Sequence, residues 1–241
     1  MSNPHAVTRE FESALCAYTG APYAVAVNSC TMALLLAVVW HLRTQPLSTT
    51  EVLTSSGHHA MAWDSSRTIN IPKRTYVGVP MSIIHAGGRP TFRDDVWSGA
   101  YQLKPLPVWD CARWFTGDLY YKVAWPYGCY TDERPQKATG MVCVSFHASK
   151  TLGDTQGGAI LHDSPEADAW LRRARFDGRA EGVAPKDDRF DMVGWHAYLS
   201  PDVAARLLWK LSALPQHNEP LPWGLGTDSD YPDISLHEAF R

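Results

Sequence analysis

Short apolar runs alternate with helical stretches along this chain, and that alternation restricts it to one class of fold. Val7, Phe11, Leu15 and Tyr18, with Ala14 between them, recur at helical spacing, and Gly20 supplies a stop. Tyr23 to Val27 has the length and character of a buried strand. Asn28-Ser29-Cys30-Thr31 then offers capping chemistry ahead of an apolar helix from Met32 to Leu42. Further strands are expected at Ile69 to Ile71, Thr91-Phe92, Leu106 to Trp109, Met141 to Phe146 and Ala159 to Leu161. Helices are expected at Tyr76 to His85, Pro165 to Phe176 and Pro201 to Leu214. Residues 44 to 67 are polar and read as a connection that carries a short helix. The order predicts an α/β fold with a mostly parallel central sheet flanked by helices, whose ligands bind beyond the carboxyl ends of the strands.

Bulk properties exclude several functions. A chain of 241 residues with 45% apolar content can bury one sizeable core. Residues 1–214 are expected to form one domain, and residues 215–241, rich in Pro, Gly and acids, an extended tail. No run of about eighteen apolar residues is present to span a bilayer, and the start of the chain lacks the apolar core of a signal peptide, so a cytosolic protein is expected. Five cysteines, widely spaced and without a C-x-x-C pair, indicate neither a disulfide framework nor a zinc site. His58-His59, His147 and His162 lack metal-ligand spacing, so no metal is expected. The formal charge of -3 argues against a protein that coats nucleic acid through bulk electrostatics. Local exceptions are open: Arg172, Arg173, Arg175 and Arg179 form either a solvated helix face or a phosphate-binding patch. Trp97, Trp109, Trp114 and Trp125 line a pocket for a flat ligand or fill a core.

Three strand ends carry chemistry that one cofactor would use. Lys150 lies just past the run Met141 to Phe146, and Gly157-Gly158 opens the next strand. A lysine desolvated in a cleft has an amine able to attack a carbonyl and form a Schiff base. Asn28-Ser29-Cys30-Thr31, at a helix start, is either a phosphate cradle or a plain N-cap. Asp110, ending the strand Leu106 to Trp109, is either the partner of a protonated ring nitrogen or a helix cap. A cradle, an acid for a pyridinium and an amine, in that chain order, describe a pyridoxal 5'-phosphate site.

The motifs Phe11-Glu12, Tyr18 to Leu34, Thr75-Tyr76, Asp110-Cys111-Ala112, Ser145 to Lys150 and Gly157-Gly158-Ala159 resemble the DegT/StrS family of fold-type-I pyridoxal phosphate enzymes, across roughly residues 10 to 210. That resemblance implies Lys150 as the Schiff-base lysine, Asp110 as the ring-nitrogen partner and Tyr76 as the aromatic stacked on the ring. It implies Ser29, Cys30, Thr31 and Ser145 at the phosphate. Family members are homodimers with active sites at the interface, and His196 matches the position that reaches the neighbour's phosphate. Departures from the family pattern lie close to the ring. Trp109 replaces an acid, Arg113 replaces an amide or imidazole, and Gln156 replaces a glutamate.

The family's C-terminal small domain has no counterpart after Leu214 in this sequence, an arrangement similar to compact bacteriophage-encoded relatives. That resemblance implies a site open to a large substrate. The leading expectation is therefore decarboxylation of an amino-acid-modified thymine in viral DNA, with Arg113 orienting the carboxylate and Gln156 beside the substrate. The alternative is amino transfer from glutamate to a nucleotide-linked keto-sugar, the family's majority activity.

Overall fold

The computed structural model describes residues 5–43, 50–53, 59–62, 67–124, 140–222 and 231–240. His58, Trp125 and Cys129 lie outside them.

Helix α1 (Ala6–Thr19) ends where expected: Gly20 takes a left-handed φ of 77° and its N–H closes onto the Cys16 carbonyl. Strand β1 (Tyr23–Val27) leads into α2 (Cys30–Leu42), whose N-cap Ser29 accepts from the Met32 N–H at 3.1 Å. Within the polar connection the described residues form a two-stranded antiparallel ribbon, β2 (Thr50–Leu53) with β3 (His59–Ala62), in place of a short helix. Then follow β4 (Thr68–Pro72), α3 (Gly78–His85), β5 (Arg89–Arg93), β6 (Tyr101–Gln102), β7 (Val108–Asp110) and α4 (Leu119–Ala124). Strands β8 (Met141–Ser145) and β9 (Gly158–His162) and helices α5 (Pro165–Ala174) and α6 (Pro201–Ser212) complete the domain.

The central sheet runs β1-β9-β8-β7-β6, and an antiparallel bridge from Lys104 to Asn70 carries it on to the parallel pair β4-β5. Strands β1, β4, β5, β7 and β8 point the same way, as an α/β fold requires, but β9 and β6 are inserted against them. The sheet is thus mostly parallel in strand direction and mixed in its pairings, because each reversed strand makes antiparallel contacts on the sides where it has a neighbour. The five shared carboxyl ends form one edge.

Both faces are covered. Ala24, Ala26, Val142, Val144 and Leu161 face α1, α4 and α6, while Val25, Val27, Cys143 and Ile160 face α2, α3 and α5. This explains why the strands read as continuous apolar runs rather than alternating ones. Each fully buried Leu, Ile or Phe in these layers contributes roughly 1.5–3 kcal/mol.

A buried ionic network ties α1, β1 and α5 together. Glu12 accepts from the Ala26 N–H at 2.9 Å and from Arg172 at 2.6 Å, and it also binds Arg175, which donates in turn to the Ala26 carbonyl. Arg173 pairs with Asp191, and Arg179 lies 4.0 Å from Asp188. The arginine cluster is therefore engaged by carboxylates of this same chain and is not a free phosphate-binding face, correcting that reading.

The described residues of the C-terminal tail pack against the rest of the chain. The Tyr18 hydroxyl donates to the Pro215 carbonyl at 2.5 Å, and the Leu221 N–H donates to the Arg113 carbonyl at 2.7 Å. Further along, the Ile234 N–H donates to the Lys73 carbonyl, Asp233 pairs with Lys73 at 3.1 Å, and Ile234 is buried. The tryptophans serve the fold: Trp97 and Trp114 donate their indole N–H groups to the carbonyls of Arg74 and Asn218.

Candidate active site

The sheet's carboxyl edge gathers the residues singled out in the sequence. Ser29, Cys30 and Thr31 start α2 beyond β1, Tyr76 follows β4, Asp110 closes β7, Ser145 closes β8, and Lys150 sits on the turn between β8 and β9. The first N–H groups of a helix lack intrahelical acceptors and point at whatever lies ahead of the helix, so the start of α2 presents donors and a positive dipole end to this edge. Gly158 makes the approach possible. A Cβ on it would stand 2.5 Å from the Cys30 amide nitrogen and 2.6 Å from the Ser29 carbonyl carbon. Ser145, the register partner of Gly158, is buried beside this turn.

Asp110 is buried, with each carboxylate oxygen held by one donor. Oδ1 accepts from the Ala112 N–H at 2.9 Å and Oδ2 from the Tyr101 hydroxyl at 2.8 Å. Burial pushes its pKa up, while Ala112, Tyr101 and the positive charge of Lys150 pull it back. The Cys30 thiol is pushed well up by burial and by the Asp110 carboxylate, with Lys150 opposing. The mutual influence of Asp110, Cys30 and Lys150 places the three in one electrostatic neighbourhood.

Lys150 is half-buried on a turn that is braced from below. The Asp154 N–H donates to the Phe146 carbonyl, and the Asp154 carboxylate takes Arg206 at 3.0 Å and Lys210 at 2.9 Å, both from α6. These partners hold Asp154 far below the usual carboxylate range. Lys210 also donates to the Gly153 carbonyl at 2.6 Å, which fixes the turn to the helix at two points.

Residues 3–108 match the model of the DegT/DnrJ/EryC1/StrS aminotransferase family. Over those residues the chain is similar to that family. Three solved structures share its fold: DesV from S. venezuelae (TM-score 0.59, 19% identity, 86% of this chain and 57% of that one), PseC, a Helicobacter pylori aminotransferase involved in the biosynthesis of pseudoaminic acid (0.59, 18%, 86% and 58%), and the sugar aminotransferase CalS13 from Micromonospora echinospora (0.59, 17%, 86% and 60%). The chain spans about three fifths of their length. It has the large-domain architecture of these fold-type-I enzymes.

The remaining candidates are dispersed around the edge. Tyr76 is 55% exposed, with its ring 6.5 Å from that of Tyr231 in the tail. Arg113 is buried, donates to the Pro222 carbonyl, and has its guanidinium carbon 6.0 Å from the Tyr231 ring. Gln156 is exposed on the braced turn. His196 is 72% exposed and pairs with Asp177 at 2.9 Å, while its carbonyl accepts from the Asn28 side chain at 3.4 Å. Tyr101 was not among the sequence candidates, because a lone tyrosine in a two-residue strand carries no pattern.

The residues present fit a phosphate-bearing pyridine aldehyde. The absence of a Cβ on Gly158 lets β9 lie close against the start of α2 and its N–H donors, and Asp110 supplies a buried carboxylate within electrostatic reach of Lys150. Among the described residues no helix is long and apolar enough to cross a membrane.

Proposed function

We propose that this chain binds pyridoxal 5'-phosphate and transfers an amino group from a donor amino acid to a keto-sugar carried on a nucleotide. The observation that carries the reading is the convergence of Lys150, Asp110 and the Ser29-Thr31 turn on one sheet edge. When bound, the cofactor supplies an aldehyde for the amine and a ring that withdraws electrons from the substrate carbon. Around it, Ser29, Cys30, Thr31 and Ser145 hold the phosphate. Asp110 pairs with the ring nitrogen and favours its cationic form. Tyr76 walls one face of the ring, and Lys150, held by the Asp154 brace, provides the amine and then carries the proton to and from the substrate carbon.

Amino transfer is favoured over the decarboxylation expected first. The family matched over residues 3–108 is one of aminotransferases, and the Arg113 guanidinium expected to orient a carboxylate donates to the tail at Pro222. The arginine patch invoked for DNA is engaged by Glu12, Asp168, Glu181 and Asp191. A second copy of this chain is the partner we propose. Its support is the exposed apolar run Tyr76, Val77, Met81 and Ile84 on and before α3, next to the site, and the outward side chain of His196.

The protein loaded with pyridoxal phosphate should absorb visible light, and borohydride should fix the cofactor on Lys150. Glutamate should then convert the cofactor to its amine form with release of one equivalent of 2-oxoglutarate. Inertness towards glutamate and every other donor amino acid, with carbon dioxide released from an amino-acid-modified thymine in DNA, would return the decarboxylation reading to first place.

A further inference from the structure

Tyr101 is the first residue of β6, and its register partner across the antiparallel pair is Asp110, the last residue of β7. Directly opposed residues of such a pair project their side chains to the same face. The Tyr101 ring is buried against Trp97, centroids 4.6 Å apart, and its hydroxyl reaches Asp110 Oδ2 at 2.8 Å. The same hydroxyl lies 2.6 Å from Thr75 Oγ1, one residue before Tyr76. A phenol has a single proton. With Asp110 ionised its oxygens only accept, so the phenol proton goes to Asp110 and Thr75 is the donor in the second bond.

The three side chains therefore form a directed series, Thr75 to Tyr101 to Asp110, in which every proton points towards the carboxylate. Such a series stabilises the ionised acid and polarises along its length. A buried carboxylate without donors would retain its proton and be a poor partner for a cation. Burial and the nearby Asp110 charge in turn push the Tyr101 phenol well up, so it remains a donor.

We propose that Tyr101 is the positioning residue of this site: its hydroxyl fixes the orientation of the Asp110 carboxylate and keeps it ionised, so that the carboxylate can hold a cationic ring nitrogen. This deepens the functional reading above and rests on it. The titratable groups facing Asp110 are Tyr101 from β6, Cys30 from α2, Cys143 from β8, the adjacent Cys111, and Lys150.

The first test needs no cofactor. Carbon-13 NMR of protein labelled at aspartate carboxyls, with Asp110→Asn to assign the signal, follows the titration of Asp110. Tyr101→Phe, which keeps the ring and its contact with Trp97, should raise the midpoint by about one pH unit. Thr75→Val should raise it by less, and it reports on the series if the Phe variant does not fold. An unchanged midpoint in the folded variants overturns the proposal.

The second test is the dissociation constant for pyridoxal phosphate, read by absorbance across pH. At pH below the native carboxyl midpoint Tyr101→Phe should bind up to about tenfold more weakly, with the onset of weakening on acidification moved to higher pH by the same interval as the carboxyl midpoint. Equal weakening at every pH, with no carboxyl shift, would mean that Tyr101 only supports packing and would sink the idea. If the native protein takes up no pyridoxal phosphate, the functional reading fails, while the carboxyl shift still decides the role of Tyr101.

Discussion

Gly158 lies directly beneath the Cys30 amide, close enough that a Cβ on the glycine would stand 2.5 Å from that nitrogen. Backbone on both sides of the contact leaves no flexible side chain to yield. Gly158→Ala should therefore displace either β9 or the start of α2. The expected cost is about 1–3 kcal/mol of stability in a denaturant titration, as for other overpacked sites. Affinity for pyridoxal phosphate should fall more steeply than stability, since the cradle itself moves. Retained affinity would show that the phosphate is held elsewhere.

Lys150→Ala should leave the fold intact. The side chain is half-buried on a turn whose bracing contacts come from Asp154, Arg206 and Lys210, so a stability change within about 1 kcal/mol is expected. Covalent fixation of the cofactor by borohydride should disappear. Mass spectrometry of the reduced protein checks this, and a persistent adduct on another lysine would remove Lys150 from its role.

Asp154→Asn should loosen the turn that carries Lys150. Arg206 and Lys210 are themselves partly exposed, so after solvent screening the expected loss is about 1–2 kcal/mol at neutral pH. The pH dependence has a definite sign. Because the folded-state pKa of Asp154 is depressed, its contribution is fully present above the ordinary carboxylate value of roughly 4 and is lost as pH falls through the folded value. Thermal melts of the two proteins should therefore converge on acidification below about pH 4. Divergence there would contradict the assignment.

Glu12→Gln should be the most destabilising of these changes. It leaves Arg175, which is almost wholly buried, without its principal countercharge, and breaking such a pair from one side typically costs about 3–5 kcal/mol. Urea denaturation measures it. A loss below about 1 kcal/mol would mean that Glu181 takes over the neutralisation of Arg175.

The legible parts of this protein are those whose signals are local. Helix α1 with its Gly20 stop, β1, the Ser29 cap and the strand pair flanking Lys150 were readable because period, capping and glycine placement act over a few residues. The positions of Asp110 and Lys150 at strand ends are legible locally, while the roles expected of them came from the family resemblance. The parts not legible depend on partners distant in sequence. Arg172 and Arg175 look like a solvated helix face until Glu12, more than 150 residues earlier, is seen beneath them. The ribbon β2-β3 has no alternating apolar pattern, and β6 is too short for any period. The contact of Arg113 with the Pro222 carbonyl, far along the chain, has no local signal either.

The reversed direction of β6 has a consequence for how sites of this architecture are searched. In an α/β sheet, functional side chains are sought where strands leave the core. A strand laid backwards brings its entrance to that same edge, so residue Tyr101 arrives at the chemistry from the opposite sense of the chain. In this protein the residue next to the acid was delivered by the beginning of a strand, and a survey restricted to strand exits would pass over it.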